Sequence, residues 1–155
     1  MRTDTASGLL YLEDLHVGRR FTSGSHTLDE RQITAFAREF DPQAFHLDPE
    51  VAKETFFRGL AASGWHTAAI TMRLNVDGGL PIQGGILGLG GEIVWPTATR
   101  PGDVLHVENE IVEVVPSRSR PDRGIVTVRS ETLNQRGEIV QKTTMKLFVP
   151  RRGAP

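Results

Sequence analysis

Asp41 and His46, five positions apart in a proline-containing segment, form the pattern in this sequence with the clearest capacity for chemistry. A carboxylate and an imidazole at this spacing can converge on one water molecule and exchange protons with it. A second pattern is the Ser63 and Gly64 pair, which opens an apolar, helix-like stretch. Backbone N–H groups at a helix start can polarise a carbonyl oxygen. Together the two patterns would suit addition or elimination of water next to a polarised thioester.

The composition is that of one soluble domain. The chain has 155 residues, with 18 Lys+Arg against 19 Asp+Glu and a net charge of -1, so no strong attraction to nucleic acid or to an anionic membrane is implied. The absence of cysteine excludes disulfides, thiolate catalysis and cysteine-ligated zinc. No apolar run approaches the roughly 20 residues that a membrane span needs, and the first residues lack a signal-peptide core. We therefore expect a cytoplasmic protein that binds neither nucleic acid nor membranes.

Sequence signals in the first part of the chain predict a short strand followed by an amphipathic helix. Residues 20–27 are typical of a strand, and the pattern from Thr27 to Glu30 matches a capping box with Thr27 as the N-cap. Apolar residues then recur at helical spacing, at Ile33, Phe36, Ala37 and Phe40. Because Pro42 disfavours helical geometry in the residue before it, this helix should end at Asp41.

Two further helices are predicted after the Asp41 and His46 pattern. Asp48 is a candidate N-cap with Pro49 at the first helical position, and this short helix should run to about Phe56. The stretch from Ser63 to Leu74 is apolar around much of its circumference. Such a stretch predicts a helix that is wrapped by other structure.

The second part of the chain is rich in β-branched and apolar residues separated by turn signals. These patterns predict strands at residues 86–95, 104–115, 124–133 and 139–149. Short connections between successive strands favour antiparallel pairing. One wrapped helix with an antiparallel sheet is an α+β arrangement, and we expect one domain over residues 1–155 with loose ends at residues 1–10 and 151–155.

These motifs resemble those of the MaoC-like dehydratases, a family of hot-dog-fold proteins that includes the (R)-specific enoyl-CoA hydratases. The family's loop has the form Asp-x-Asn-Pro-x-His-x-Asp, followed by a short helix and a His-Gly pair that opens the central helix. Asp41, His46 and Asp48 match this loop. Gln43 and Ala44 stand in place of Asn-Pro. The resemblance covers nearly the whole chain.

The resemblance implies a curved antiparallel sheet wrapped around a central helix, and two subunits that pair to form the site. Asp41 and His46 would hold and activate a water molecule. The backbone N–H of Gly64, in the Ser-Gly pair that replaces the family's His-Gly, would bind the thioester oxygen. The residues expected to contact the substrate are Gln43, Phe45, Ser63 and Trp65. We expect a homodimer or a dimer of dimers, an acyl-CoA or other acyl-thioester substrate, no cofactor and no metal.

The predicted function is therefore reversible hydration of a 2-enoyl thioester to a 3-hydroxyacyl thioester. One alternative is an acyl-CoA thioesterase on the same general fold. Another is a non-catalytic subunit that binds acyl thioesters, because Gln43, Ala44 and Ser63 depart from the motif and a fold alone does not establish function.

Each candidate residue also has a structural interpretation. Asp41 could merely end a helix or form an Asx-turn before Pro42, and His46 could be a buried, hydrogen-bonded histidine. Ser63 is interpreted as a helix cap or pocket wall, because its surroundings do not match the Gly-x-Ser-x-Gly elbow of a nucleophilic serine. Trp65, at the start of the buried helix, is expected to narrow the acyl channel. That position favours a small or polar acyl group.

Overall fold

The structure, a computed structural model, describes residues 8–153. Its helices are α1 (Glu30–Phe40), α2 (Ala44–Leu47), α3 (Pro49–Ala52) and α4 (Gly64–Leu74). Its strands are β1 (Arg20–Thr27), β2 (Leu87–Val94), β3 (Val104–Pro116), β4 (Arg123–Leu133) and β5 (Ile139–Pro150). These strands form one sheet in the order β1-β3-β4-β5-β2, and neighbouring strands are antiparallel. The predicted α+β class, the antiparallel sheet and the central helix are confirmed.

Helix α1 begins later than the predicted capping box. Asp29 is the N-cap, because its carboxylate accepts a hydrogen bond from the backbone N–H of Gln32 at 2.8 Å. The predicted cap, Thr27, is instead the last residue of β1, so that prediction is wrong. The aspartate carboxylate occupies the same N-terminal position that a Ser or Thr hydroxyl would take. The end of the helix just before Asp41 is confirmed.

Helix α3 begins where predicted and ends sooner. The Asp48 carboxylate caps its first backbone N–H groups, but the helix stops at Ala52 rather than near Phe56. The Thr55 hydroxyl donates to the Ala52 carbonyl at 2.6 Å, which takes up one of the last helical acceptors. Arg58 then has a φ of 55°, outside the right-handed helical region. The segment that follows α3 is therefore a series of turns.

Two apolar clusters form the core. The first joins α1, α4 and the sheet through Leu28, Ile33, Leu60, Ala62, Ile70, Leu74, Leu105, Val107 and Val140. The second joins the segment before β1 to the sheet through Leu10, Leu12, Leu15, Leu80, Ile82, Ile111, Val126, Val128, Leu147 and Val149. Burial alternates along β4, as expected for a strand with one face on a core. Within residues 8–153, no helix has the length and apolar character needed to cross a membrane.

The described ends of the chain are tied to the domain. Leu10 is buried and forms an isolated parallel bridge with Ile82, and the Arg152 guanidinium pairs with the Asp14 carboxylate at 2.7 Å. The expectation of loose ends is therefore wrong for these two residues, because each is held by specific contacts. Residues 1–7 and 154–155, which also belong to the predicted loose ends, lie outside the described part of the chain.

Helix α4 is covered on one side and open on another. Its buried residues are His66, Thr67, Ile70, Thr71 and Leu74. Trp65 and Met72 are exposed in the single chain, so one chain wraps the helix less completely than its apolar sequence predicted. Edge strand β2 also carries exposed apolar side chains, since Leu87 and Leu89 are each 55% exposed.

Candidate active site

Folding brings the Asp41 carboxylate and the His46 imidazole into direct contact. Asp41 directly follows α1, and His46 lies in the single helical turn α2, a segment that the sequence predicted to be a loop. The His46 Nε2 atom is 3.3 Å from the Asp41 Oδ2 atom. The His46 side chain is 6% exposed and the Asp41 side chain 16%. Such limited access to water strengthens electrostatic interactions between the two groups.

A backbone carbonyl sets the tautomer of His46. The Nδ1 atom lies 2.7 Å from the carbonyl oxygen of Ala61. Since a carbonyl oxygen can only accept, Nδ1 carries the hydrogen and the Nε2 atom of the neutral ring presents a lone pair toward Asp41. The rings of Phe45 and Phe57 lie 4.5 and 5.9 Å from the imidazole, measured between ring centroids. The Asp41 carboxylate and the His46 Nε2 atom are thus neighbouring hydrogen-bond acceptors. One water molecule can donate a hydrogen bond to each of them.

The environment of Asp41 favours its ionised form. Burial opposes the charge, but the Gln43 side-chain amide and the Ser63 hydroxyl lower the pKa of Asp41 below its usual value. The Gln43 Nε2 atom donates to Asp41 Oδ1 at 2.6 Å, so Oδ2 faces the imidazole. Hydrogen bonds to the charged form are a standard cause of such a lowering. Gln43, which departs from the family's Asn, therefore contacts and holds the carboxylate.

The start of α4 presents a backbone donor. Ser63 is the N-cap, and its hydroxyl accepts from the Trp65 N–H at 3.3 Å. The Gly64 N–H, at the first helical position, donates to no protein acceptor within residues 8–153. The four first N–H groups of a helix lack intrahelical partners and lie at the positive end of its dipole. A carbonyl oxygen bound at Gly64 would be stabilised as it gains negative charge.

One cavity of about 380 Å³ connects the acid/base pair with this donor. It is lined by Asp41, His46, Phe56, Phe57, Ala62, Gly64, Trp65, Thr67, Trp95, Thr97, Ala98, Thr99 and Val140. Of the residues expected to contact the substrate, Trp65 lies on this wall. Gln43, Phe45 and Ser63 do not line it, and they contact Asp41, His46 and the helix start.

Trp95 is a wall residue that the sequence analysis missed. Its ring covers Gly64 so closely that a Cβ atom added to Gly64 would lie 2.7 Å from Trp95 Cε2. The sequence expectation placed this role on Trp65, whose ring is 61% exposed and lies edge-on to Trp95 at 5.3 Å. Trp65 is therefore not the buried aromatic that was expected. No local signal identifies Trp95, because its contact with Gly64 depends on the pairing of β2 with β5.

Arg100 stabilises the segment that carries the His46 acceptor. Its guanidinium donates to three backbone carbonyls, those of Phe57, Gly59 and Leu60, at 2.6, 3.0 and 3.3 Å. The Asp103 carboxylate accepts from the Arg100 backbone N–H at 2.8 Å. The next residue, Ala61, supplies the carbonyl that binds His46 Nδ1. Arg100 thus holds the imidazole in place without touching it.

A second histidine in α4 is buried outside this cavity. His66 stacks on Phe36, with ring centroids 4.5 Å apart and planes 2° apart, and its Nδ1 atom has no hydrogen-bond partner. Burial, with a smaller contribution from His26, lowers the pKa of His66 to about 4. His66 is thus neutral at pH 7. It belongs to the packing between α1 and α4.

We expect this histidine to make folding stability depend on pH. The unfolded chain binds a proton at His66 near pH 6.5, whereas the folded chain binds it only near pH 4, so the free energy of unfolding should fall as the pH drops through that window. The loss should be roughly 2 kcal/mol, allowing for the access of water to a ring that borders a second cavity. Urea unfolding at several pH values measures it. His66→Phe should flatten the slope, and the exposed His16→Phe variant should retain it.

The described strands and helices define a hot-dog protein, an antiparallel sheet wrapped around a central helix, with the candidate site at the start of that helix. Residues 15–134 match the MaoC like domain, and the chain belongs to this family. The family and the fold predicted from the sequence are both confirmed.

Three relatives illustrate the similarity. The chain is 32% identical over 143 residues to the uncharacterized protein YdeM of Bacillus subtilis (strain 168), covering 90% of this chain and 99% of YdeM. It is 62% identical to a MaoC-like dehydratase from Rhodospirillum rubrum, with a TM-score of 0.91 and coverage of 92% of this chain and 98% of that one. The R-hydratase PhaJ1 from Pseudomonas aeruginosa is 26% identical, with a TM-score of 0.73 and coverage of 93% and 88%.

Proposed function

We propose that this protein catalyses the reversible hydration of a 2-enoyl thioester, carried on CoA, to a 3-hydroxyacyl thioester. The observation that carries the proposal is the placement of the Asp41 and His46 pair and the unpartnered Gly64 N–H on one cavity. Membership of a dehydratase family and similarity to an R-hydratase support a reaction of this general type.

The acid/base pair can orient the attacking water. A water molecule that donates to His46 Nε2 and to Asp41 Oδ2 must direct its oxygen lone pairs away from both groups. Those lone pairs then face the space in which the substrate's β-carbon would lie. The Ala61 carbonyl keeps the imidazole in the tautomer that this arrangement needs. The Gln43 amide keeps the carboxylate ionised and correctly turned.

The reaction then needs only proton transfer and charge stabilisation. As the water oxygen bonds to the β-carbon, the electron pair of the C=C bond moves toward the α-carbon and the thioester oxygen gains negative charge. The Gly64 N–H and the α4 dipole stabilise that charge. The pair takes one proton from the water and returns one to the α-carbon, so a hydrogen and a hydroxyl are added and the pair is regenerated. Dehydration follows the same path in reverse.

Two readouts test this proposal on the same samples. A panel of 2-enoyl-CoA substrates is added to the purified protein, and enoyl absorbance and free thiol are followed together. Hydration consumes the absorbance without releasing thiol. Thiol release would establish the thioesterase alternative in its place. Binding of the thioesters without either change would overturn the catalytic proposal in favour of a non-catalytic acyl-thioester-binding subunit.

We also propose that two copies associate through the edge of the sheet at β2. The strand leaves one edge unpaired and exposes Leu87 and Leu89, and an uncovered apolar edge invites uncontrolled pairing. The exposed side of α4, with Trp65 and Met72, supplies further apolar surface for a second copy.

Light scattering should therefore give the mass of a dimer, or of a dimer of dimers. Leu89→Lys, which puts a charge on the β2 edge, should shift the protein toward monomer by at least tenfold in dissociation constant. The matched control is Val17→Lys, a similarly exposed apolar position in the turn before β1, at the opposite edge of the sheet. Equal behaviour of the two variants would show that β2 is not the contact edge.

A further inference from the structure

We infer that Trp95 is the residue that limits the length of the acyl group, and that the protein acts on short-chain 2-enoyl thioesters. This inference rests on the proposed function and adds to it the substrate class. It concerns the wall of the cavity that contains Asp41 and His46.

Burial distinguishes the mouth of the cavity from its inner end. Phe56 and Trp65 are 95% and 61% exposed and therefore lie at the mouth. Thr67, Thr99 and Val140 also line the cavity but are almost completely buried. They form its inner end. A thioester whose carbonyl binds the Gly64 N–H must place the rest of its acyl chain against this inner end.

Trp95, which is 40% exposed, extends along the cavity wall between the start of α4 and strand β5. Its ring lies against Gly64, and its Nε1 donates to the Gln141 Oε1 atom at 3.0 Å. Gln141 is only 2% exposed, so this hydrogen bond fixes the indole from the interior side. A ring held at both its face and its nitrogen cannot swing aside without leaving a buried amide acceptor unpaired, which is costly.

The region behind Trp95 is also unsuited to an alkyl chain. Gln141 donates to the Thr71 hydroxyl at 3.2 Å, and Thr71 pairs with Thr132 at 2.6 Å. A second hydroxyl pair, Thr67 and Thr99 at 3.0 Å, lies on the cavity wall itself. A long acyl chain inserted between α4 and the sheet would separate these buried partners and leave them without hydrogen bonds. Close packing and these buried hydrogen bonds therefore exclude a long acyl chain from the interior beyond the cavity.

The test compares chain-length profiles. The ratio of kcat/KM for 2-decenoyl-CoA to that for crotonyl-CoA should be low in the wild-type protein. Trp95→Leu should raise this ratio by about tenfold or more, because acyl methylenes gain space in an apolar pocket. Trp95→Phe, which keeps a smaller ring at the same place, should raise this ratio less. It also tests the proposal if the leucine variant does not fold. Phe148→Leu is the matched control and should leave the ratio unchanged, since that ring lies against Arg123 on β5 and does not line the cavity.

Calorimetric binding of saturated butyryl-CoA and decanoyl-CoA to the same variants separates the two proposals. If no enoyl-CoA is hydrated but binding favours the short chain and shifts with Trp95, the function proposed above is wrong and the length limit holds. If hydration occurs and either the wild-type protein prefers the long chain or the folded Trp95 variants keep the wild-type ratio, the length limit is wrong. Absence of both binding and hydration would overturn both proposals.

Discussion

Asp41→Asn and His46→Ala should each lower kcat/KM for enoyl-CoA hydration by about 100- to 10,000-fold, the usual contribution of general acid/base catalysis. The first change removes a carboxylate oxygen that accepts from the water, and the second removes the neighbouring Nε2 acceptor. Both variants should keep the oligomeric mass and circular dichroism of the wild-type protein. The Gly64 N–H remains in each variant, so residual hydration above background is expected.

The two losses should not add. Asp41 and His46 hold the same water, so removing either one disables the pair, and the double variant should be about as slow as the slower single variant. Asp48→Asn is the matched control, because it changes a carboxylate in the same segment to a residue that caps a helix equally well. Near-normal turnover by a folded Asp41→Asn or His46→Ala protein would show that the pair has a structural role.

The motif region shows how far the sequence could predict the site. The spacing of Asp41 and His46 correctly placed the two residues near each other, because α1 ends just before Asp41 and a proline follows it. The acceptor for His46 Nδ1 could not be predicted, since Ala61 contributes only a backbone carbonyl and any residue has one. The contact of Gln43 with Asp41 likewise depends on the local chain direction. Residue types and spacing predicted the contact between the two side chains, and the backbone path sets the tautomer of His46.

Tertiary contacts explain the errors in the fold and on the wall. The strands were predicted well, because β-branched and apolar patterns and the turns between them are local signals. The start of α1 was wrong, because two capping residues, Thr27 and Asp29, lie close together and only one can serve. The aromatic wall was assigned to Trp65 because it is adjacent to Gly64 in sequence. Trp95 is adjacent to Gly64 in space, through a contact that local periodicity does not encode.

Gly64→Ala should reduce hydration as severely as loss of an oxyanion donor does, by about 100- to 1,000-fold in kcat. The added Cβ atom would lie 2.7 to 2.9 Å from three atoms of the Trp95 ring, closer than packed atoms can approach, so the helix start or the ring must move. Ser63→Ala should have a milder effect, because it removes the N-cap hydroxyl, worth about 1 kcal/mol of stability, and leaves the Gly64 N–H in place.

A double variant tests whether Gly64→Ala loses activity because the new Cβ atom meets the Trp95 ring and displaces the Gly64 N–H. Trp95→Leu removes the ring that the new Cβ would meet, so Gly64→Ala combined with Trp95→Leu should recover much of the activity that Gly64→Ala alone loses. Steady-state hydration of crotonyl-CoA by the single and double variants measures this recovery. Mass spectrometry during turnover should find no acyl adduct on Ser63, whose side chain is buried behind the wall. Full activity of Gly64→Ala would show that the start of α4 does not stabilise the thioester oxygen. An acyl adduct on Ser63 would show that the reaction proceeds by nucleophilic attack of Ser63 rather than by addition of water.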